Sequence, residues 1–232
     1  MKQLKRLKDF VAYLGTYHRN LRALRAAQAD GSFDALWAFL EASSLAGIMQ
    51  VRSELDQLLT MLRGERPRTI LEIGTAQGGT LLFWAWAAPK DAEIITVDLH
   101  HGPFGGGHRR SQGWLYRRFA TGRQRIHLVR GDSHATRTWE KVKKLLRGRQ
   151  ADFLFIDGDH SLEGVETDYR LYGPLVRPGG IIAFHDIVPA PYELVGGVPS
   201  FWAQMKPSMG GEEIVEDWNQ GGYGIGWIGR RG

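Results

Sequence analysis

Two carboxylates at the ends of apolar runs are the residues best placed for chemistry in this chain. Asp157 closes Asp152-Phe-Leu-Phe-Ile-Asp157 and is followed by Gly158-Asp159-His160; Asp186 closes Gly180-Ile-Ile-Ala-Phe-His185-Asp186. Both runs are short and apolar, as in strands buried on both faces of a parallel sheet. A carboxylate at the C-terminal end of such a strand points into the crevice where open α/β sheets bind ligands. A helical crossover of roughly 25 residues would make the two strands neighbours. Two neighbouring carboxylates can share a divalent cation, with His185 as a third donor. Upstream, Ile70-Leu-Glu72-Ile-Gly74-Thr75-Ala76-Gln77-Gly78-Gly79 joins a strand to a glycine-rich turn of the nucleotide-binding kind. These features together point to metal-assisted group transfer.

The elements that must hold these residues follow from periodicity and turn chemistry. Residues 1–62 read as helices, with Leu4, Leu7, Val11 and Leu14 at helical spacing, then Leu36, Phe39 and Leu40, then Leu55, Leu58, Leu59 and Leu62. Ala29-Asp30-Gly31-Ser32 separates the first two helices, and Ser32 is placed to cap the second. Strands are expected at Thr69 to Ile73, Glu93 to Asp98, Arg125 to Arg130, Phe153 to Asp157 and Ile181 to Phe184, the last entered through a turn at Arg177-Pro178-Gly179-Gly180. Helices are expected near 78–88, 114–120, 135–146, 162–175 and 198–206. Two final strands, near 213–218 and 223–228, flank Asn219-Gln-Gly221-Gly222 as a hairpin turn. The order predicts an α/β fold: a Rossmann-like, seven-stranded, mostly parallel sheet with an antiparallel C-terminal hairpin, plus N-terminal helices. Residues 1–64 are expected to form a helical extension serving as a cap or an oligomerisation surface, and 65–232 the ligand-binding domain.

Composition bounds the chemistry. The chain has 232 residues, 43% hydrophobic and 24% charged, which is ordinary for a globular protein. It has no cysteine, so disulfides, zinc thiolates, iron–sulfur clusters and thiol nucleophiles are excluded. No apolar run approaches the roughly 20 residues that cross a bilayer, and the N-terminus lacks the features of a signal peptide. A cytoplasmic location is expected. The formal charge of +5 is concentrated in the first thirty residues and in 109–149, where Lys141, Lys143, Lys144, Arg147 and Arg149 read as a solvated helix face. No RNA-binding module or aromatic single-strand motif accompanies it, so nucleic acid is disfavoured as a partner. Trp84, Trp86 and Trp227 fall on elements expected in the core.

With its glycine turn and two acidic strand ends in this order, the chain resembles class I S-adenosylmethionine (SAM) dependent methyltransferases over residues 65–232. Phe155-Ile-Asp157-Gly-Asp159-His160-Ser161 and Arg177-Pro-Gly-Gly180-Ile-Ile-Ala-Phe-His185-Asp186 are similar to metal-dependent small-molecule O-methyltransferases, the group with macrolide-sugar methyltransferases and cephalosporin hydroxylase-like proteins. The resemblance implies that Glu72, Gly74, Thr75 and Gly78 hold the amino-acid part of SAM, that Asp98 takes the ribose hydroxyls, and that Asp132 and Ser133 contact adenine. It further implies Asp157, His185 and Asp186 as metal ligands. Many relatives carry an acid or amide at the position of His185; an all-oxygen set favours Mg²⁺, whereas an imidazole suits Mn²⁺ and other transition metals better.

A hydroxyl acceptor must lose its proton to attack the SAM methyl group, and a dication lowers its pKa by several units. His160, with Asp159 as the alternative, is the candidate base. The loop His100 to Arg110 is the expected acceptor lid. The acceptor is expected to be a small molecule, such as a sugar, a glycoside or a polyhydroxylated natural product, and the protein a homo-oligomer. The alternatives are an RNA methyltransferase and a non-catalytic SAM-binding accessory protein.

Overall fold

A computed structural model describes residues 2–99, 107 and 111–231. Three helices come first: α1 (Lys2–Asp30), α2 (Phe33–Ala42) and α3 (Arg52–Glu65). Ser32 does cap α2, its hydroxyl accepting the Ala35 N–H. Gly31 turns the chain there at φ +74°, a conformation glycine adopts without steric cost. The alternating part follows as β1 (Thr69–Ile73), α4 (Gly79–Ala87), β2 (Glu93–Asp98), α5 (Gln112–Tyr116), β3 (Arg125–Arg130), α6 (Thr136–Leu146), β4 (Ala151–Ile156), α7 (Leu162–Tyr172) and β5 (Val176–His185). Helices α8 (Tyr192–Val195) and α9 (Val198–Met209) and strands β6 (Glu212–Ile214) and β7 (Ile225–Gly229) complete it.

The seven strands lie in the order β3-β2-β1-β4-β5-β7-β6. The first five are mutually parallel, and β7 runs antiparallel to both β5 and β6. Strand order therefore reverses between β1 and β4, which puts the ligand crevice at their C-terminal ends. There the loops touch: the N–H of Asp157 donates to the Ile73 carbonyl (2.8 Å) and that of Gly74 to Val97 (2.8 Å).

Strand residues alternate between two cores, which is why the sequence shows unbroken apolar runs. Ile70, Ile94, Phe153 and Phe155 face α4 and the N-terminal helices, packing with Leu36, Leu40, Leu55, Leu58 and Trp84. Leu71, Ile73, Ile95, Leu154 and Phe184 face the other way, toward Val142, Val165, Tyr172 and Trp202 of α6, α7 and α9.

Three expectations differ from the structure in detail. Arg177-Pro178-Gly179-Gly180 lies inside β5 rather than before it. The pairing jumps from Ala151↔Val176 to Phe153↔Ile181, so the extra residues form a bulge, with Gly179 at φ +74°. Helix α7 stops at Tyr172 and continues as the 3₁₀ turn Gly173–Leu175, because Pro174 has no N–H to give to an α-helical bond. The last two strands are shorter than expected, and residues 215–224 between them form a long loop rather than a tight hairpin turn. The expected acceptor lid, His100 to Arg110, lies outside the described residues except for Gly107.

Candidate active site

Asp157 leaves β4 and Asp186 leaves β5, and adjacent strands bring both acids to one point. His185 Nδ1 lies 3.3 Å from Asp157 Oδ1 and 3.4 Å from Asp186 Oδ1. His160 spans the same pair, with Nε2 3.3 Å from Asp157 Oδ1 and Nδ1 3.4 Å from Asp186 Oδ2. Asp157, His160 and Asp186 each offer a donor atom within 4.8 Å of the others, the spacing of a shared cation site. His185 is 4% exposed. A buried imidazole at ion-pair distance from two carboxylates, with Nε2 unbonded among the described residues, fits a metal ligand better than a structural hydrogen bonder.

Electrostatics bind the four groups together. Burial opposes ionisation of Asp157, yet the His185 and His160 imidazoles beside it hold its carboxyl well below the usual range. Burial likewise opposes charge on His160, but its bond to Asp157 and the charges of Asp157 and Asp186 push it up to about 9. His185 is raised well above an ordinary histidine by the same two acids, against burial.

The backbone around the cluster is strained and clamped. Asp186 sits at φ +63°, which Asp tolerates better than most residues. Its Oδ1 accepts the Tyr223 N–H at 3.0 Å. His160 Nδ1 is 3.0 Å from the Leu194 carbonyl, and the Gly197 N–H donates to the His160 carbonyl at 2.7 Å. Gly196 at φ +57° presses so closely that a Cβ there would stand 2.0 Å from that carbonyl oxygen. Asp159 faces elsewhere, accepting the Ser161 N–H at 2.9 Å at the start of α7.

The family described as Methyltransferase domain matches residues 71–187, half of the chain, spanning β1 through the residue after Asp186. The chain belongs to the methyltransferase-domain family. Solved methyltransferases share the fold. The O-methyltransferase of Bacillus cereus, in complex with SAH, superposes at a TM-score of 0.58 with 17% identity, over 93% of this chain and 91% of that one. TomG of Streptomyces achromogenes, involved in tomaymycin synthesis and solved with SAM, gives 0.58 at 18%, over 94% and 90%. MycE from the mycinamycin pathway, in complex with Mg, SAH and mycinamycin VI, gives 0.52 at 18%, over 76% of this chain and 49% of that one.

In this methyltransferase the expected cofactor residues divide between crevice and core. Asp98 stands at the end of β2 beside the glycine turn, accepting N–H groups from Ala76 (2.8 Å) and Gly107 (3.1 Å). Asp132, exposed after β3, accepts the His134 N–H at 2.9 Å, and the Ser133 carbonyl takes the Tyr172 hydroxyl at 2.8 Å. Gly74 (φ +96°) and Gly78 (φ +78°) serve close packing within the protein. A Cβ on Gly74 would fall 1.8 Å from the Asp157 carbonyl oxygen, and one on Gly78 2.9 Å from the Tyr116 ring.

Glu72 lies behind the glycine turn, whereas Thr75 lines the small cavity between that turn and Asp157. Glu72 is 0% exposed and faces the α4 core, where Thr80 Oγ1 and Trp84 Nε1 donate to Oε1 at 2.6 Å each and Thr96 Oγ1 to Oε2 at 2.7 Å. Thr75, also buried, contacts the Thr96 hydroxyl. Glu72 thus ties β1, β2 and α4 together behind the glycine turn. Burial pushes its carboxyl up to about 7, against its three donors.

That shift carries a pH signature. Between about pH 4.5 and 7 the folded protein keeps a proton that the unfolded chain has released, so stability falls as pH rises. Glu72→Gln mimics the protonated form, its amide donating to Thr96. Its stability relative to wild type should increase by about 3 kcal/mol from pH 4.5 to pH 8. Thermal or urea unfolding across this range checks it, and a pH-independent difference refutes it.

Sequence reasoning missed the segment between α2 and α3. The Gly47 N–H donates to Gln77 O at 3.1 Å, and Gln50 Nε2 lies 3.4 Å from Asp157 Oδ2. Residues Gly47 to Gln50, the glycine turn and Asp157 line a cavity of about 30 Å³, room for a water or two. Nothing in the residue types of this stretch marked Gln50.

Proposed function

We propose that this methyltransferase transfers the methyl group of SAM to a hydroxyl of a small molecule, with a divalent cation at Asp157, Asp186 and His185. The buried His185 ring, with Nδ1 within 3.4 Å of both carboxylates, is the observation that carries this reading. When bound, SAM supplies an electrophilic methyl group and a dication polarises the acceptor hydroxyl, lowering its pKa. The residue set fits Mg²⁺ through its acids and Mn²⁺ through its imidazole.

The chain's own groups supply the rest. Asp98, at the end of β2, would accept from ribose hydroxyls, and Asp132 and Ser133, after β3, would contact adenine. His160 Nε2 would take the acceptor proton from its neutral form, which a cation beside Asp157 and Asp186 favours by offsetting the charges that raise the ring. The Leu194 carbonyl engages Nδ1 and so orients the ring, with Nε2 turned toward Asp157. Asp157 and Asp186 stabilise the imidazolium that results, as carboxylates do for catalytic histidines. Asp159 shapes the turn from which His160 projects.

A sugar, a glycoside or a polyhydroxylated natural product fits best as the acceptor, because adjacent hydroxyls can chelate one cation. MycE, solved with Mg and mycinamycin VI, supports this class. The test is transfer of labelled methyl from SAM to a panel of sugars, glycosides and catechols, with and without EDTA. Label should appear in an oxygen-methylated product, vanish with EDTA and return with Mg²⁺ or Mn²⁺. Undiminished transfer in EDTA would remove the cation from the mechanism.

A further inference from the structure

Glu54 is an acid on the first turn of a helix outside the alternating part of the fold, yet it is 1% exposed. No lysine or arginine pairs with it among the described residues. All its bonds go to one loop, residues 215–224 between β6 and β7. Oε1 accepts the Glu216 N–H at 3.0 Å and Gln220 Nε2 at 2.8 Å, and Oε2 accepts the Gly224 N–H at 2.9 Å. A buried carboxylate with three donors is a strong anchor, because charge-assisted hydrogen bonds are about twice as strong as neutral ones.

The anchored loop is the one that clamps Asp186. Gly221, Gly222, Tyr223 and Gly224 all have positive φ, at +74°, +110°, +60° and +79°. For a tyrosine this left-handed conformation costs on the order of 1–2 kcal/mol. Surrounding structure must therefore hold it in place. The result is that the Tyr223 N–H points at Asp186 Oδ1. The same turn accepts the Val188 N–H at the Tyr223 carbonyl, 3.0 Å away. Fixing Oδ1 leaves Oδ2 facing His160.

We propose that Glu54 is a positioning residue for the cation site: through the 215–224 loop it sets the Asp186 carboxylate, and so makes helix α3 part of the catalytic unit. This rests on the cation reading above. Bonds behind a ligand commonly change metal affinity by about 10- to 100-fold, and Glu54 acts one step further back, through a backbone N–H. Glutamine at position 54 offers one acceptor oxygen for three donors and turns an NH₂ toward one of them.

The test is Mn²⁺ titration of the full-length protein, reading free Mn²⁺ by electron paramagnetic resonance. Glu54→Gln should raise the Mn²⁺ dissociation constant about 10-fold, with SAM affinity, measured separately by calorimetry, unchanged within about twofold. Ser53→Ala, which removes only the exposed bond from Ser53 to the Glu216 carboxylate, should bind Mn²⁺ as wild type does. If Glu54→Gln does not fold, Gln220→Ala removes one of the three donors and should weaken Mn²⁺ about two- to threefold. Wild-type Mn²⁺ affinity in the folded Glu54 variant, or in Gln220→Ala, overturns the proposal. Equal losses of Mn²⁺ and SAM also overturn it, since they mean general loosening. Wild-type protein that binds no Mn²⁺ defeats the cation reading itself, and the positioning role with it.

Discussion

Asp157→Asn should lower methyl transfer by about 10²–10⁴-fold, the range seen when one group of a proton-transfer constellation is removed. Asp157 Oδ1 is the only atom in the cluster that lies 3.3 Å from both imidazoles, Nδ1 of His185 and Nε2 of His160. An amide there presents either a weaker, uncharged oxygen or a donor aimed at a ring nitrogen. It also removes the charge that holds both histidines up. The backbone role is untouched, because it is the Asp157 N–H and carbonyl that pack against Ile73 and Gly74. The variant should therefore fold, and SAM affinity should change less than about threefold. Asp186→Asn is the companion experiment, since asparagine accepts positive φ at least as well as aspartate. Single-turnover transfer at saturating SAM, measured beside the SAM dissociation constant, checks both. Retention of more than a tenth of wild-type transfer by Asp157→Asn would mean that the cluster is not the reaction centre.

How far the sequence reveals this site depends on what local pattern can carry. Strands β1, β2 and β3 agree with their expected limits because each is an apolar run closed by proline, glycine or a charge. The acids at 157 and 186 are legible for the same reason: a carboxylate directly after a doubly buried strand has only the crevice to enter. Strand β5 begins five residues earlier than its pattern implies, since Arg-Pro-Gly-Gly has turn chemistry and only the pairing with β4 reveals a bulge. The final hairpin is misjudged because the force that opens it is Glu54, roughly 160 residues away, and no local rule reports such a bond. Glu72 shows a different limit. The resemblance assigns it to the cofactor, while strand parity puts its side chain on the face of Ile70, toward Trp84 and Thr80. Applied to β1, alternation alone distinguishes an acid behind the glycine turn from one in front of it.

Cation affinity should rise steeply with pH, and this follows from the charge balance of the four clustered groups. Burial disfavours the charged forms of Asp157, His160 and His185. Even so, the acids raise His160 to about 9 and His185 well above its ordinary value, while the imidazoles hold Asp157 low. Both imidazoles are therefore biased toward their protonated forms in the cation-free protein. A dication needs neutral imidazole, so its entry must expel protons, and protons compete with it. The sign is fixed: each raised histidine holds its proton until pH passes its elevated pKa, so lowering pH weakens binding. Between pH 6 and 8 the Mn²⁺ dissociation constant should fall by about 10- to 100-fold per pH unit, for one or two protons displaced. Calorimetry in buffers of different ionisation enthalpy should show between one and two protons released at pH 7. Ordinary surface carboxylates, already ionised at pH 6, would give a flat profile, and that result would detach the two histidines from the cation site.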